Sequence, residues 1–386
     1  MYRHACWFLV LMGVAISLST AGAETQTPAK EMPLVFCVDN YGAIHVNPEP
    51  KDAAVKLLQA PEGVELLSPG NVLVWVPTEK QIGEHVIRVF VLPTDGEPTE
   101  KEFRVLVKPL ERVLCVFAHA DDEFGILAKM KRMADRGVEV WAAWTCGGNA
   151  VRDAESVAAM TKIGLKKEHL IFQAYGDFTS PDGLQRKIAP LAELLRSKPF
   201  DQIYTDAYEG GHSQHDMSGF IAAQAARQAE FRGQVYEFPL YNMFGAKPTM
   251  FTFIPAAMPS VEMTLRQAEL DFIVSLVPCY PSQKTITQGF LVGLSLEQKT
   301  HPRYRPQPNW DYTRRPHKGV LMLELRMHEK DSTFAGRISG PTTAYFQAHG
   351  GNTGGAWEQD RTADEKALTK KVYPDPYVAK EVSGGQ

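Results

Sequence analysis

Two hydrophobic periods succeed one another along the chain. From Pro33 to about Pro109 the apolar residues fall in short runs, "VLVWVPT", "EHVIRVFVLP" and "KEFRVLVKP", separated by turn residues such as Thr94-Asp95-Gly96. Phe103, Val105 and Val107 alternate with Glu102 and Arg104, the period of two that burial on one face imposes on a strand. The pattern predicts a small all-β sandwich over residues 33–109.

The character changes at Glu111. Arg112–Ala118 reads as a buried strand, and Ile126, Leu127, Met130, Met133 and Ala134 then recur at helical spacing, with Gly137 placed to cap the helix. Strand and helix go on alternating: "VEVWAAWTC", the helix Asn149–Gly164, "HLIFQA", the helix Leu184–Ser197, "DQIYTDA", the helix His215–Glu230 and "QVYEFPL". Met263–Leu276 reads as another helix and "VLMLELRM" as another strand. Alternation at these lengths predicts a Rossmann-like α/β domain over 111–345, with a doubly wound, mostly parallel sheet. The Gly-rich stretch near Gly350 and the charged residues after Asp360 predict a polar, loosely ordered tail over 346–386.

Composition alters this picture only at the amino terminus. Arg3 and His4 precede the apolar run Trp7–Leu18, and Ala21-Gly22-Ala23 has the small-x-small form of a signal-peptidase site. Residues 1–23 therefore read as a cleaved secretory signal, followed by a linker over 24–32, and the protein as exported, periplasmic or extracellular. The run is short for a membrane span, and no other stretch is long and apolar enough for one. The whole chain carries a net charge of −4, with 44% hydrophobic and 22% charged residues. Loss of the signal makes it one unit more negative by removing Arg3, so nucleic acid is not an expected partner. Cys37, Cys115, Cys146 and Cys279 remain, at spacings that fit neither a disulfide scaffold nor a zinc-cysteine motif.

The chemistry gathers where strands end. In an open parallel sheet the functional crevice lies beyond the carboxyl ends of the strands. His119, Asp121, Asp122 and Glu123 follow the first strand, and "DAYEGGHSQHDMSG" follows the fourth with Glu209, His212, His215 and Asp216. Imidazole and carboxylate are ordinary zinc ligands, and a catalytic zinc takes three. A tight turn brings His119 and Asp122 to one ion, and His215 supplies the third ligand. Asp121 is then a spare carboxylate for the proton of an attacking water, and a protonated His212 a donor to an oxyanion. Each element also has an ordinary structural reading: the acidic cluster as a helix cap, the histidines as packed or exposed residues. The conjunction on two matching strand ends favours one divalent zinc per chain. Arg152, Tyr175, Asp177 and Glu209, also after strand ends, are candidates for sugar hydroxyls, although Arg152 can pair with Glu155 and Asp177 can open a turn. A phosphate-binding G-x-G-x-x-G, a G-x-S-x-G elbow and H-E-x-x-H are all absent.

"AHADDE" resembles the A-H-P-D-D-E signature of the LmbE-like, or PIG-L-type, zinc-dependent N-deacetylases, and "HSQHD" their H-x-x-H motif. "RDAESVAAMTKIGL" and "CYPSQ" resemble their Arg-x-x-Glu helix and late Tyr-x-Ser-Gln element, so the resemblance covers roughly Arg112 to Gln283, with "YRPQPNWDYTRRP" a further candidate beyond. It implies His119, Asp122 and His215 as metal ligands, Asp121 as general base and His212 as the group stabilising the intermediate. Two positions depart: Ala120 stands for the usual proline, which loosens the turn, and Gln214 for a common aspartate, which alters support for the histidines. "WVPTEKQIGEHVIRVFVLPTDG" resembles the Ig-like or cadherin-like modules of exported proteins. The expected activity is removal of an acetyl or other acyl group from an N-acetylated sugar or glycoconjugate. The alternatives are an amidase for a non-sugar acyl-amine and a non-catalytic carbohydrate-binding surface protein.

Overall fold

The computed structural model describes residues 32–325, 334–350 and 370–376, apart from Pro69, Ala246 and Ala257. The segments read as signal and linker, and most of the tail, lie outside the described residues.

Seven strands come first: β1 (Leu34–Cys37), β2 (Gly42–His45), β3 (Ala54–Gln59), β4 (Glu65–Leu67), β5 (Val72–Trp75), β6 (Gly83–Leu92) and β7 (Thr99–Lys108). They form a four-stranded sheet, β1-β7-β6-β3, and a three-stranded sheet, β2-β5-β4. Phe36, Val89, Val105 and Val107 of the first sheet share one apolar cluster with Ile44, Leu73 and Trp75 of the second. Leu67, Val72 and Val74 face the opposite way, into the core of the α/β part. The unbroken apolar run of β5 is thus explained by burial on both faces. Polar contacts close the same junction: the Ala43 amide donates to Gln234 Oε1 at 2.9 Å, and the Val35 amide to the Arg232 carbonyl at 2.7 Å.

The α/β part runs β8 (Arg112–Phe117), α1 (Leu127–Asp135), β9 (Glu139–Gly147), α2 (Ala150–Lys162), β10 (Leu170–Ala174), α3 (Pro181–Ser197), β11 (Gln202–Asp206), α4 (Ser213–Gln228) and β12 (Gln234–Phe238). After a short hairpin, β13 (Tyr241–Asn242) and β14 (Thr249–Met250), come β15 (Ser260–Glu262), α5 (Gln267–Leu276), α6 (Lys284–Gly293), α7 (Leu296–Thr300), β16 (Arg303–Pro306), α8 (Met322–Leu325), α9 (Gly340–His349) and β17 (Val372–Pro374). The main sheet has the order β10-β9-β8-β11-β12-β16-β15-β17. Its first five strands are parallel, β16 is antiparallel to both neighbours, and β17 runs parallel to β15.

Side-chain alternation along β8 sorts the core. Val113, Cys115 and Phe117 join α1, α2 and α5 on one face, while Leu114 and Val116 join α3, α4 and α9 on the other. Local signals set the helix ends. Asn149 Oδ1 accepts from the Val151 and Arg152 amides, and Ser180 Oγ from the Gly183 amide with Pro181 in the first turn. Gly137, just past α1, has φ +78°. The four cysteines among the described residues are free, and three are buried. Among the described residues no helix is long and apolar enough to cross a membrane.

Three expectations are corrected. The helix read over 263–276 begins at Gln267, because Ser260–Glu262 form a strand and Met263 and Leu265 pack into the core. Of the strand read in "VLMLELRM", the described residues to Leu325 hold the single helical turn α8; a short apolar run carries no period, and here Leu321, Met322 and Leu323 are all buried. The tail is not loose throughout: β17 pairs with β15, and Asp375 lies buried against Lys129 Nζ at 3.1 Å.

Candidate metal centre

Strand order places the site. From β8 the chain proceeds to β9 and β10 on one side and to β11 and β12 on the other, so the order reverses between β8 and β11. A crevice opens beyond the strand ends at such a switch point. The two ends are joined there, the Ala118 amide donating to Asp206 Oδ2 at 2.9 Å.

After β8 the chain turns sharply. The His119 amide donates to Asp122 Oδ2 at 2.7 Å, the Asp121 amide to Glu123 Oε2 at 2.5 Å, and Arg152 Nη2 to the Ala120 carbonyl. These bonds close the turn in which Ala120 stands for the expected proline. Asp121 sits at φ +101°, a strained conformation for a residue with a side chain. The second loop, after β11, is built from glycines and buried acids. Gly210 has φ +70°, and a Cβ on Gly211 would lie 1.9 Å from the Tyr241 carbonyl oxygen. Asp216 Oδ1 accepts from the Glu209 and Gly210 amides at 2.9 and 3.1 Å. α4 then starts at Ser213 with His212 as its N-cap.

The loops bring three donor atoms to one point. His119 Nδ1 and His215 Nε2 are 3.3 Å apart, and each is 3.3 Å from an oxygen of Asp122. His212 stands beside them: one ring nitrogen each of His119, His212 and His215 lies within 4.8 Å of the others. Two overlapping triads therefore share His119 and His215. The one containing Asp122 offers a carboxylate, with Oδ2 toward His119 Nδ1 and Oδ1 toward His215 Nε2, and the other offers a third imidazole. Hydrogen bonds select the tautomers. His119 Nε2 is 2.5 Å from Gln214 Oε1, an acceptor, so a neutral ring would carry its proton there and turn its Nδ1 lone pair to the triad. His212 Nδ1 accepts from the Gln214 amide at 3.2 Å, which leaves the proton of a neutral ring on Nε2. His212 can donate in that state, and the protonated form expected from the sequence is not required.

Electrostatics separate the two aspartates. Burial pushes both carboxyls up, but the facing histidines, His215 foremost, hold Asp122 well below the usual range. Asp121 is pushed up to about 8 by burial and the Asp122 charge, against the pull of Arg152, whose Nη2 lies 3.1 Å from Asp121 Oδ1. Burial pulls the His119 imidazolium down, yet hydrogen bonding, first to Asp122, carries it up to about 11. Glu123, fully buried and holding Ser156 Oγ at 2.6 Å, is raised to about 7 by burial. One carboxylate is thus kept charged among the donor atoms, while its neighbour is able to hold a proton near neutral pH.

The four further candidates separate. Arg152 holds Asp121 and the Ala120 carbonyl rather than pairing with Glu155, which instead accepts from the Ser282 amide and hydroxyl at 2.7 Å each. Tyr175 is 67% exposed, and its hydroxyl accepts from Gln214 Nε2 at 3.1 Å. The other two are engaged within the fold. Asp177 accepts from the amides and hydroxyls of Thr179 and Ser180 in its own turn. Glu209 is buried, and its oxygens take the Leu240 and Tyr241 amides and Asn242 Nδ2. A cleft of about 220 Å³ over the triad is also lined by Tyr241, Gln283 and Ile286. Tyr241 follows β12 and was findable by the strand-end rule. Gln283 ends "CYPSQ", whereas nothing in the sequence signals Ile286.

No protein-family profile matches the chain, and no curated protein matches it. Solved structures do. A teicoplanin-biosynthesis deacetylase in complex with bog is 15% identical over 50% of this chain and 97% of its own, with a TM-score of 0.38. The N,N'-diacetylchitobiose deacetylase of Pyrococcus horikoshii is 18% identical over 51% and 84%, with a TM-score of 0.36. The 4-carboxy-2-hydroxymuconate hydratase of Pseudomonas putida is 16% identical over 51% and 95%, again at 0.36.

Proposed function

We propose that the chain is a zinc-dependent amide hydrolase that removes an acetyl or other acyl group from the amine of an N-acetylated sugar or glycoconjugate. The observation that carries this reading is a triad of two imidazole nitrogens and a carboxylate with an unligated acid, Asp121, beside it. A structural site needs no such acid. The motif resemblance to the LmbE-like deacetylases points the same way and is the ground for the sugar.

His119 Nδ1, Asp122 and His215 Nε2 would hold the ion. When bound, zinc supplies Lewis acidity that polarises an amide carbonyl and makes water easier to deprotonate. The chain's own groups do the rest. Asp121 accepts a proton as water adds to the carbonyl carbon. His212 Nε2–H donates to the oxygen that gains charge. Asp121 then returns the proton to the leaving nitrogen as the C–N bond breaks, giving an amine and a carboxylic acid, which releases its own proton to solvent. Arg152 orients Asp121 throughout.

The amino-terminal pattern supports export with cleavage after Ala23, and the change of period at Glu111 supports a β module over 33–109 ahead of the hydrolase domain. The test uses protein recovered from the exported fraction, expected to begin at Glu24. Turnover of N-acetylglucosamine oligomers should accompany about one zinc per chain. Asp121→Asn should keep the zinc and lose about 10²–10⁴-fold in kcat, the usual scale for a proton-transferring group. Zinc binding without turnover of sugar or non-sugar acetylated amines would favour the non-catalytic surface protein, and turnover of the non-sugar amides alone the amidase.

A further inference from the structure

One face of α2 holds separate parts of the site together. Arg152, Glu155 and Ser156 recur on it at i, i+3 and i+4, the spacing that sets helical side chains side by side. Arg152 Nη2 meets Asp121 Oδ1 at 3.1 Å, and Ser156 Oγ donates to Glu123 Oε1 at 2.6 Å, so both brace the turn after β8. Glu155 is buried and reaches elsewhere. Its Oε1 accepts from the Ser282 amide and its Oε2 from the Ser282 hydroxyl, each at 2.7 Å. Ser282 Oγ in turn accepts from Gln283 Nε2 at 3.1 Å. Gln283 lines the cleft over the triad, and α6 starts at the next residue. The directions of these bonds follow from Glu155. A carboxylate has acceptors only, and a hydroxyl has one proton. Ser282 gives that proton to Glu155 and has lone pairs left for its neighbour. Gln283 must then turn its nitrogen to Ser282, which leaves its oxygen to the cleft.

We propose that Glu155 is a positioning residue that sets the polarity of Gln283, so that the cleft presents an acceptor, Oε1, to the substrate unit carrying the acyl-amine. That unit then brings a hydrogen-bond donor beside the reacting carbonyl, a ring hydroxyl or the N–H of a secondary amide. The inference rests on the deacetylase reading for the identity of the unit, and not for the polarity of Gln283. Glu155→Gln separates direction from contact, because it keeps the shape and both bonds with Ser282 while reversing one. The substituted side chain still accepts from the Ser282 amide through its oxygen, but its nitrogen donates to Ser282 Oγ. The hydroxyl proton is released toward Gln283, whose amide turns over and shows the cleft its nitrogen.

Neutron diffraction on deuterated, ligand-free protein reads the polarity directly. Deuterons should lie on the Gln283 amide atom that faces Ser282 in the unmutated protein, and on the atom that faces away in Glu155→Gln. The same orientation in both overturns the proposal, whatever the enzyme does. Kinetics read the consequence, with an N-acetylglucosamine disaccharide, its single-deoxy analogues and its N-methylated amide as substrates. Glu155→Gln should raise KM for the parent sugar about three- to tenfold, the scale of one neutral hydrogen bond, with kcat held. Gln283→Leu should do the same. The effect should vanish for the one analogue that lacks the matching donor, which identifies that donor. A merely structural Glu155 predicts no change in Glu155→Gln, since every contact is kept. That result, or an equal effect on every analogue, overturns the proposal. The stated polarity together with no hydrolysis of any acylated amine by the unmutated protein would support the role of Glu155 and overturn the deacetylase reading instead.

Discussion

At the scale of single residues, the site depends on where protons and lone pairs are fixed. Gln214 is the clearest case, since one amide sets the His119 tautomer through Oε1 and holds Tyr175 through Nε2. Partners of this kind, one bond removed from a metal, commonly change affinity 10–100-fold when lost. Gln214→Leu should therefore weaken zinc binding by about that factor, read by competition with a chromogenic chelator, and Gln214→Glu should restore it with a stronger acceptor. Unchanged affinity in the leucine variant would mean that His119 needs no orienting partner. The candidate ligands were legible because their residue types stand close together in sequence at strand ends. The task of Arg152 was not, because Asp121 lies 31 positions away in sequence and only the fold brings the two together. The deep burial of Glu209 was invisible for the same reason: its acceptors serve the backbone of the next strand's exit.

At the scale of elements, the strands and helices of 112–238 were legible because burial on both faces leaves long apolar runs, and helices recur at their own period. Short segments whose partners are distant were not. β17 is three residues long and pairs with β15 from the far end of the chain, and α8 is one turn seated by the Met322 amide on the Gly210 carbonyl. The helix leaving the triad, α1, is tied to α5 by Arg132, whose Nε and Nη2 reach the Glu269 carboxylate at 2.6 and 2.9 Å. Burial would raise Glu269, but this arginine and the Arg266 amide hold it down to about 2. A depressed carboxyl stabilises fully above its unfolded value near 4.5 and loses that contribution as pH falls through 2. Glu269→Gln should lower the urea midpoint at pH 7 by the equivalent of about 1–3 kcal/mol. The deficit should shrink between pH 4.5 and 2, as the unmutated protein loses the same interaction. A deficit constant across that range would rule out the ion pair as its source.

At the scale of the whole molecule, two hydrophobic periods become two bodies of structure sharing a core. Leu67, Val72 and Val74 of the β region are continuous with Val113, Phe117 and Tyr204 of the α/β region, so the first region is packed against the second and not merely tethered to it. The main sheet in turn makes the reversal between β8 and β11 that lets residues 96 positions apart, His119 and His215, approach to 3.3 Å. That approach is the central claim, and anomalous diffraction at the zinc edge, on crystals of the protein, tests it most directly. The account predicts one peak per chain, about 2.0–2.2 Å from His119 Nδ1, an Asp122 oxygen and His215 Nε2, with Asp121 outside bonding distance. A peak bound by His212 in place of Asp122, or no peak within reach of His119 and His215 together, would contradict it.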